Sequence, residues 1–519
     1  MVPPADDIWT EPDPLAVRPL LVPLSAIILG VFAVALSTSM LPDVLPALEL
    51  AFHSDLSSLQ WALTSYAVAL AAVIPLSGWL CDRYGVQRLL GSAVTVVAIT
   101  SALCAAAQNA AMLIVFSVLR GLAGGFVGPA GLATVYLLAP RGKLGLCVAI
   151  FGVPLLLPPI AGSLVAAELL HSVAWQWVFL IPVPFCLAAL LAGVAIQMPA
   201  GQKQETFLDL PGMVLGPLAF AALAYGMAET STGWTSTGAL AGLLGGSAAL
   251  VAFIAVELRA PHPLLDLRVF GAGAFRLTVV TQWLGQIALA GGGFLFSQFL
   301  LLILGYHILD GGYTTLLLAQ LLGTAVCLLI GGLLFDRRGA RLPAVTGLAL
   351  VTIGTVGLAQ LSALTRPSDL LLWLFLQGAG SGLLTVALQT RMLSSVPRDL
   401  VRRVAALTGA LQGMLVGLAG VILATVLTNR FGSLEPVLLT ARLHHPLDIG
   451  AMLATALAPD YNHLLMIMAG FALAGALLAL TLRPVLAPTD GEVPEKSWVE
   501  PEPDPAAISV DIPPGQPDV

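Results

Sequence analysis

The 519-residue chain is 58% hydrophobic and only 10% charged, far from the quarter of charged residues usual in a soluble domain. Its net charge of −7 belongs to its ends: residues 1–19 and 484–519 carry 12 acids against 2 bases, and the remainder 17 acids against 20 bases. No basic stripe points to nucleic acid, and the five cysteines (Cys81, Cys104, Cys147, Cys186, Cys327) have neither metal-ligand nor disulfide spacing.

The first element, residues 1–19, is rich in Pro, Asp and Glu and predicts a disordered tail; no basic stretch precedes the apolar run, so it does not read as a signal peptide. Fourteen apolar runs follow, near 20–45, 59–80, 88–108, 110–139, 144–170, 175–198, 210–229, 237–257, 275–304, 313–335, 341–363, 369–396, 404–428 and 462–483. About 20 residues at 1.5 Å each match a hydrocarbon core of roughly 30 Å, and backbone groups in lipid must be satisfied within the segment. The expected fold is therefore all-α and polytopic, crossing the lipid bilayer fourteen times, with a long external loop at 429–461 and a second disordered tail at 484–519. An even span count puts both tails on one side. If that side is cytoplasmic, 17 of the 22 Lys and Arg fall there, the bias expected of an inner (plasma) membrane protein.

Taken in chain order, the spans carry few ionisable groups. Asp43 sits between Pro42 and Pro46 at the end of the first run, which makes it either a coupling acid or merely the polar end of a helix. Tyr66 in the second run is a candidate cavity wall. That run closes on Gly78-Trp79-Leu80-Cys81-Asp82-Arg83-Tyr84-Gly85. Arg120 falls deep in the fourth run, where even the lowest insertion scales charge about 2.5–3.5 kcal/mol for a base. It therefore serves a substrate or proton path, or a structural bond to backbone carbonyls. The fifth run contains Gly152, Pro154, Pro158, Pro159 and Gly162, a hinge or an ordinary kink. Gln282 and Gln286 share one face of the ninth helix and predict either a neutral polar cavity or helix–helix hydrogen bonds. The tenth run closes on Gly332-Leu333-Leu334-Phe335-Asp336-Arg337-Arg338-Gly339.

The two Asp-Arg-x-Gly loops, with their aspartates 254 residues apart, imply two related halves: a six-helix bundle at 20–198 and another at 275–483. A linker with two inserted helices occupies 199–274. Gly85 and Gly339 suit turns of positive φ. Asp82 is expected to face the span starting near Val404, beside Arg402 and Arg403, and Asp336 the span starting near Leu144, beside Arg141 and Lys143. Such contacts, together with the loops' own Arg83, Gly85, Arg337 and Gly339, would latch one state of a rocking transporter.

The Gly78–Gly85 loop resembles the signature loop of the major facilitator superfamily. The run Gln60-Trp61-Ala62-Leu63-Thr64-Ser65-Tyr66 and the stretch Pro75–Leu80 resemble its 14-span drug:proton antiporters (QacA/EmrB type). Trp175–Ile181, Gly233-Trp234, Glu257-Leu258-Arg259 and Pro263–Leu267 add further similarity. The resemblance covers about residues 20 to 483. Two departures stand out. The acid usual in the first span of these antiporters falls on Ser37, with Asp43 about 9 Å further out. In the fourth-span Arg-x-x-Gln-Gly pattern, Ser117 takes the arginine position and Arg120 the glutamine.

The resemblance implies export of small amphipathic organic compounds by alternating access, with protons as counter-ion and, if the cell has two membranes, a periplasmic adaptor and outer-membrane channel as partners. The alternatives are a facilitator with other or no coupling, and a membrane sensor. No phosphate-binding Gly-x-x-x-x-Gly-Lys-Ser/Thr loop occurs, so the energy is expected from an ion or cargo gradient. The membrane interior offers no His or paired acids for an intramembrane enzyme, and no cofactor is expected.

Overall fold

The computed structural model describes residues 18–140, 142–172, 174–195, 209–230, 233–261, 263–303, 311–360, 366–397, 400–444 and 449–482. Among these residues there is no β-strand, and fourteen helices are long and apolar enough to cross a membrane. They are span 1 (Leu24–Phe52), 2 (Ser57–Tyr84), 3 (Val86–Ala105), 4 (Ala110–Leu138), 5 (Leu144–Leu170), 6 (Gln176–Val194) and 7 (Leu210–Glu229). After these come span 8 (Thr237–Arg259), 9 (Gly273–Leu301), 10 (Gly312–Arg338), 11 (Arg341–Leu358), 12 (Ser368–Ser394), 13 (Val401–Asn429) and 14 (Leu457–Ala479). The chain is a multi-pass membrane protein.

Two local expectations are corrected. The helix of span 1 does not stop near residue 45 but runs on through Pro42 and Pro46 to Phe52. Breaking it would leave carbonyls and amides bare in lipid, so continuing costs less than stopping. The segment expected as a long external loop is largely helix: spans 13 and 14 continue as Val401–His444 and Ile449–Ala479.

The helices associate in a pattern that recurs eight spans later. Span 2 packs on 4, 3 on 4, 1 on 6, 3 on 6 and 1 on 5; equally, 10 packs on 12, 11 on 12, 9 on 14, 11 on 14 and 9 on 13. Lipid provides no hydrophobic drive between helices, so close approach depends on small residues. Gly347 and Gly380 press spans 11 and 12 together, where a methyl group on Gly347 would lie 2.8 Å from the Gly380 carbonyl oxygen.

Between the two sets the contacts are reciprocal: span 13 meets 2 and 4, and span 5 meets 10 and 12. Spans 7 and 8 pair closely through Gly226 and Gly242, and span 7 also lies on 2 and 13. The inserted helices thus cover the 2–13 seam, with Trp61 stacked on Tyr225 at 5.9 Å and Trp234 donating its indole N–H to Thr425 Oγ1.

Candidate functional site

Both Asp-bearing loops lie at one end of the molecule, where even-numbered spans finish and odd-numbered ones begin. Gly85 (φ +84°) and Gly339 (φ +73°) make the turns, a conformation that side-chain-bearing residues adopt only with strain. Gly78 lets span 2 touch span 13: a Cβ there would stand 2.7 Å from the Arg403 Cα. One turn on, Asp82 is 1% exposed and accepts from Arg402 Nη1 at 2.7 Å and Arg403 Nε at 3.1 Å. The other guanidinium edge of Arg403 donates from Nη1 to the Pro263 carbonyl at 3.0 Å.

The second loop is built differently. Gly145 and Gly332 bring spans 5 and 10 into backbone contact. Asp336 then accepts from the amides of Gly145 (2.7 Å) and Leu146 (3.0 Å), in the first turn of span 5. Those amides have no partner within their own helix and carry the positive end of its dipole. Arg141, expected beside Asp336, lies outside the described residues. The loop arginines do not bridge the bundles. Arg83 is exposed and lies over the rings of Trp79 (5.4 Å) and Tyr84 (5.9 Å), and Arg337 is also exposed. This corrects their expected place in the latch.

A cavity of about 330 Å³ lies between the two sets of helices. Val31, Val34, Leu70, Gly124, Gly128 and Pro129 line one wall, and Gln389, Thr408, Gly409 and Gln412 the other. None of its lining side chains is ionisable. Gln282 and Gln286, expected in a cavity, do not line it. Gln282 is buried at a helix contact with neither amide atom hydrogen-bonded, and Gln286 is half-buried. The rotation of span 9 turns their shared face into its own bundle. Gln320 and Gln377 make the helix–helix bonds instead, Gln320 Nε2 to Gln377 Oε1 at 3.2 Å and Gln377 Nε2 to Thr355 Oγ1 at 3.1 Å.

Arg120 and Tyr66 occur one helical turn from Gly124 and Leu70, on the side of the cavity away from the Asp loops. Arg120 is 2% exposed, and its Nε and Nη2 have no hydrogen-bond partner. Its guanidinium lies over the rings of Tyr66 (5.0 Å) and Phe179 (5.5 Å). Such cation–π contacts contribute about 2 kcal/mol when desolvated. Tyr66 is therefore a platform for Arg120 rather than a cavity wall; its hydroxyl bonds Thr38 Oγ1 at 2.8 Å. Ser37 is buried nearby in span 1, with its Oγ unpartnered. Asp43 does not meet Arg120: it is half-buried further along span 1, hydrogen-bonded to Ser163 of span 5.

Span 5 is interrupted where its glycines and prolines cluster. A helix ends at Gly152, a 3₁₀ turn covers Val153–Leu156 with Pro154 in it, and a second helix starts at Pro158 and contains Pro159. The Pro158 carbonyl is taken up by Ser39 Oγ at 2.7 Å, and Gly162 makes room for that serine. Gly152 faces the other bundle, where Leu328 Cδ2 would be 2.9 Å from its added Cβ.

Three features had no advance signal of their role. Arg391 is 2% exposed at the end of span 12 and donates from Nε to Thr278 Oγ1 at 3.0 Å. Glu257, 1% exposed, accepts from the Leu265 amide, close to Asp209. The amides of Gly145 and Leu146 are backbone, which no residue type announces.

The family model described as Major Facilitator Superfamily matches residues 27–209 and 211–440. A multidrug resistance protein B homolog of Mycobacterium tuberculosis (strain ATCC 25618 / H37Rv) is 28% identical, over 79% of this chain and 76% of its own. The tetracenomycin C resistance and export protein of Streptomyces glaucescens is 29% identical, over 80% and 77%. The solved human organic anion transporter MFSD10 superposes with a TM-score of 0.57 at 14% identity, covering 89% of this chain and all of the other; that likeness concerns the fold alone.

Proposed function

The chain belongs to the major facilitator superfamily, a family of transporters and not of enzymes, and on that basis we propose that it exports amphipathic organic compounds from the cell by alternating access. The carrying observation is the reciprocal closure: Asp82 on the start of span 13 and Asp336 on the start of span 5 seal one end of the inter-bundle cavity. In this reading the sealed end is cytoplasmic, both termini lie on that side of the inner (plasma) membrane, and the bundles are 20–198 and 275–483. The multidrug-resistance and export names of the relatives support an organic cargo.

The cycle follows from the two latches. Closed, they hold the state seen here. Cargo entering from the cytoplasm requires both to part, and release on the far side requires them to re-form. We assign the driving force to the proton gradient, with Asp43 as the acid on the far part of the path and Arg120 as the fixed positive charge beside the cavity. An adaptor and outer-membrane channel would receive the cargo in a two-membrane cell.

A second reading rests on Arg120 alone. A buried guanidinium with two bare donors and an acid-free cavity beside it suits an organic anion, moved with other or no coupling. Everted vesicles given a fluorescent amphipathic dye in the outside medium separate the two. Under proton antiport, uptake depends on an imposed pH gradient and falls in Asp43→Asn and Arg120→Gln. Uptake unchanged in both variants removes these residues from the path. Absence of any dye movement, at equal protein, overturns the export reading for that class of compound.

A further inference from the structure

Spans 7 and 8 present a buried carboxyl pair at the latch end. Asp209 caps span 7, its Oδ1 accepting the Gly212 amide at 3.1 Å, while its Oδ2 is buried with no hydrogen-bond partner. Glu257, 1% exposed in the last turn of span 8, accepts the Leu265 amide on Oε2 at 3.2 Å, and its Oε1 is equally bare. Both bare oxygens converge on Gly212: a methyl group there would strike Asp209 Oδ2 and stand 2.8 Å from Glu257 Oε1. Two carboxylates turned on one buried spot repel if both are ionised, and a proton on Glu257 removes that repulsion.

The pair is connected to the Asp82 latch by three consecutive residues. Glu257 holds the amides of Leu264 and Leu265. Pro263, just before them, gives its carbonyl to Arg403 Nη1, and Arg403 Nε holds Asp82. Among the described residues, the charged groups facing Glu257 are Asp209 from span 7 and Arg403 from span 13.

We propose that Glu257 binds a proton facing the Asp209 carboxylate and that its occupancy governs the Asp82 latch. With the proton bound, the loop and Arg403 stay as seen. When it leaves for the water on the latch side, two adjacent negative charges remain. Arg403 is the cation that faces them, and drawing it toward Glu257 takes it from Asp82, leaves Arg402 alone on that carboxylate and weakens the seam. This gives the two inserted helices a task that six-plus-six spans lack, and it rests on the alternating-access reading above.

The test measures conformation, not transport. Spin labels are placed at the exposed positions Arg88→Cys and Arg341→Cys, in the full chain with Cys327→Ala, reconstituted in nanodiscs. Their separation is followed from mildly acidic to mildly alkaline pH. The unaltered acids should give a longer distance as pH rises. Glu257→Gln and Asp209→Asn, each unable to carry the second charge, should lose that shift and stay short throughout. Asp82→Asn should be long at every pH. If either acid variant follows the original pH profile, or if the original is flat while Asp82→Asn is long, the proton site is overturned and the latch stands. If Asp82→Asn stays short, the latch reading itself fails.

Discussion

Asp82 and Asp336 occupy matching positions but hold their neighbours by different chemistry, and the difference is measurable. Asp82→Asn leaves two guanidinium groups without their anion; breaking a buried ion pair costs about 3–5 kcal/mol, less where the arginines are partly wet. Asp336→Asn keeps one acceptor oxygen for the helix amides, a loss nearer 1.5 kcal/mol. A cysteine at Gly409, where an added side chain finds 3.7 Å to Pro129, reports opening through its alkylation by an impermeant maleimide from the latch side. We expect faster labelling in both variants, and clearly faster in Asp82→Asn; the reverse order would contradict the geometry. Arg120 allows a second prediction at this scale. Replacing it with Met removes a buried charge that costs about 2.5–3.5 kcal/mol while giving up a cation–π contact of about 2. Thermal stability should rise slightly while transport falls at least about tenfold, the trade expected of a functional charge. A stability loss with intact transport would mark Arg120 as structural.

At the scale of the helix, the inserted pair depends on bare backbone contact. Gly242→Leu must push spans 7 and 8 apart, because its Cβ already meets Gly226. Overpacking of this kind costs about 1–3 kcal/mol, visible as a lower melting temperature, with the Trp61–Tyr225 stack loosened at the 2–13 seam. The helices themselves were legible from sequence, since twenty apolar residues in lipid have one way to satisfy their backbone. Their rotation was not: whether Gln282 or Gln389 faces the gap is set by tertiary packing that periodicity does not contain. The Asp loops were readable because they occur twice. The amides of Gly145 and Leu146 were not, since every helix start has such donors. Glu257 was legible only as part of the Glu257-Leu258-Arg259 resemblance, and its convergence with Asp209 on Gly212 is what the structure adds.

For the whole molecule, the decisive relation is the reciprocity of the contacts between spans 2 and 13 and between 5 and 10. A cross-link at either seam should freeze the cycle. Gly152→Cys with Leu328→Cys places two thiols across the 5–10 contact. Oxidation should abolish transport, and a reductant should restore it; continued transport by the oxidised protein would mean that this seam never parts. The broken span 5 has a further consequence. Its first helix, up to Gly152, packs on spans 10 and 12 of the opposite bundle, whereas its second, from Pro158, packs on span 1 of its own. If the bundles alternate as proposed, a joint between the two helices would let the far mouth narrow around a guest while the near gate is still bolted. Under the alternating access proposed above, such a machine would have an intermediate in which its passenger is shut off from both compartments at once, and no leak need accompany each turnover.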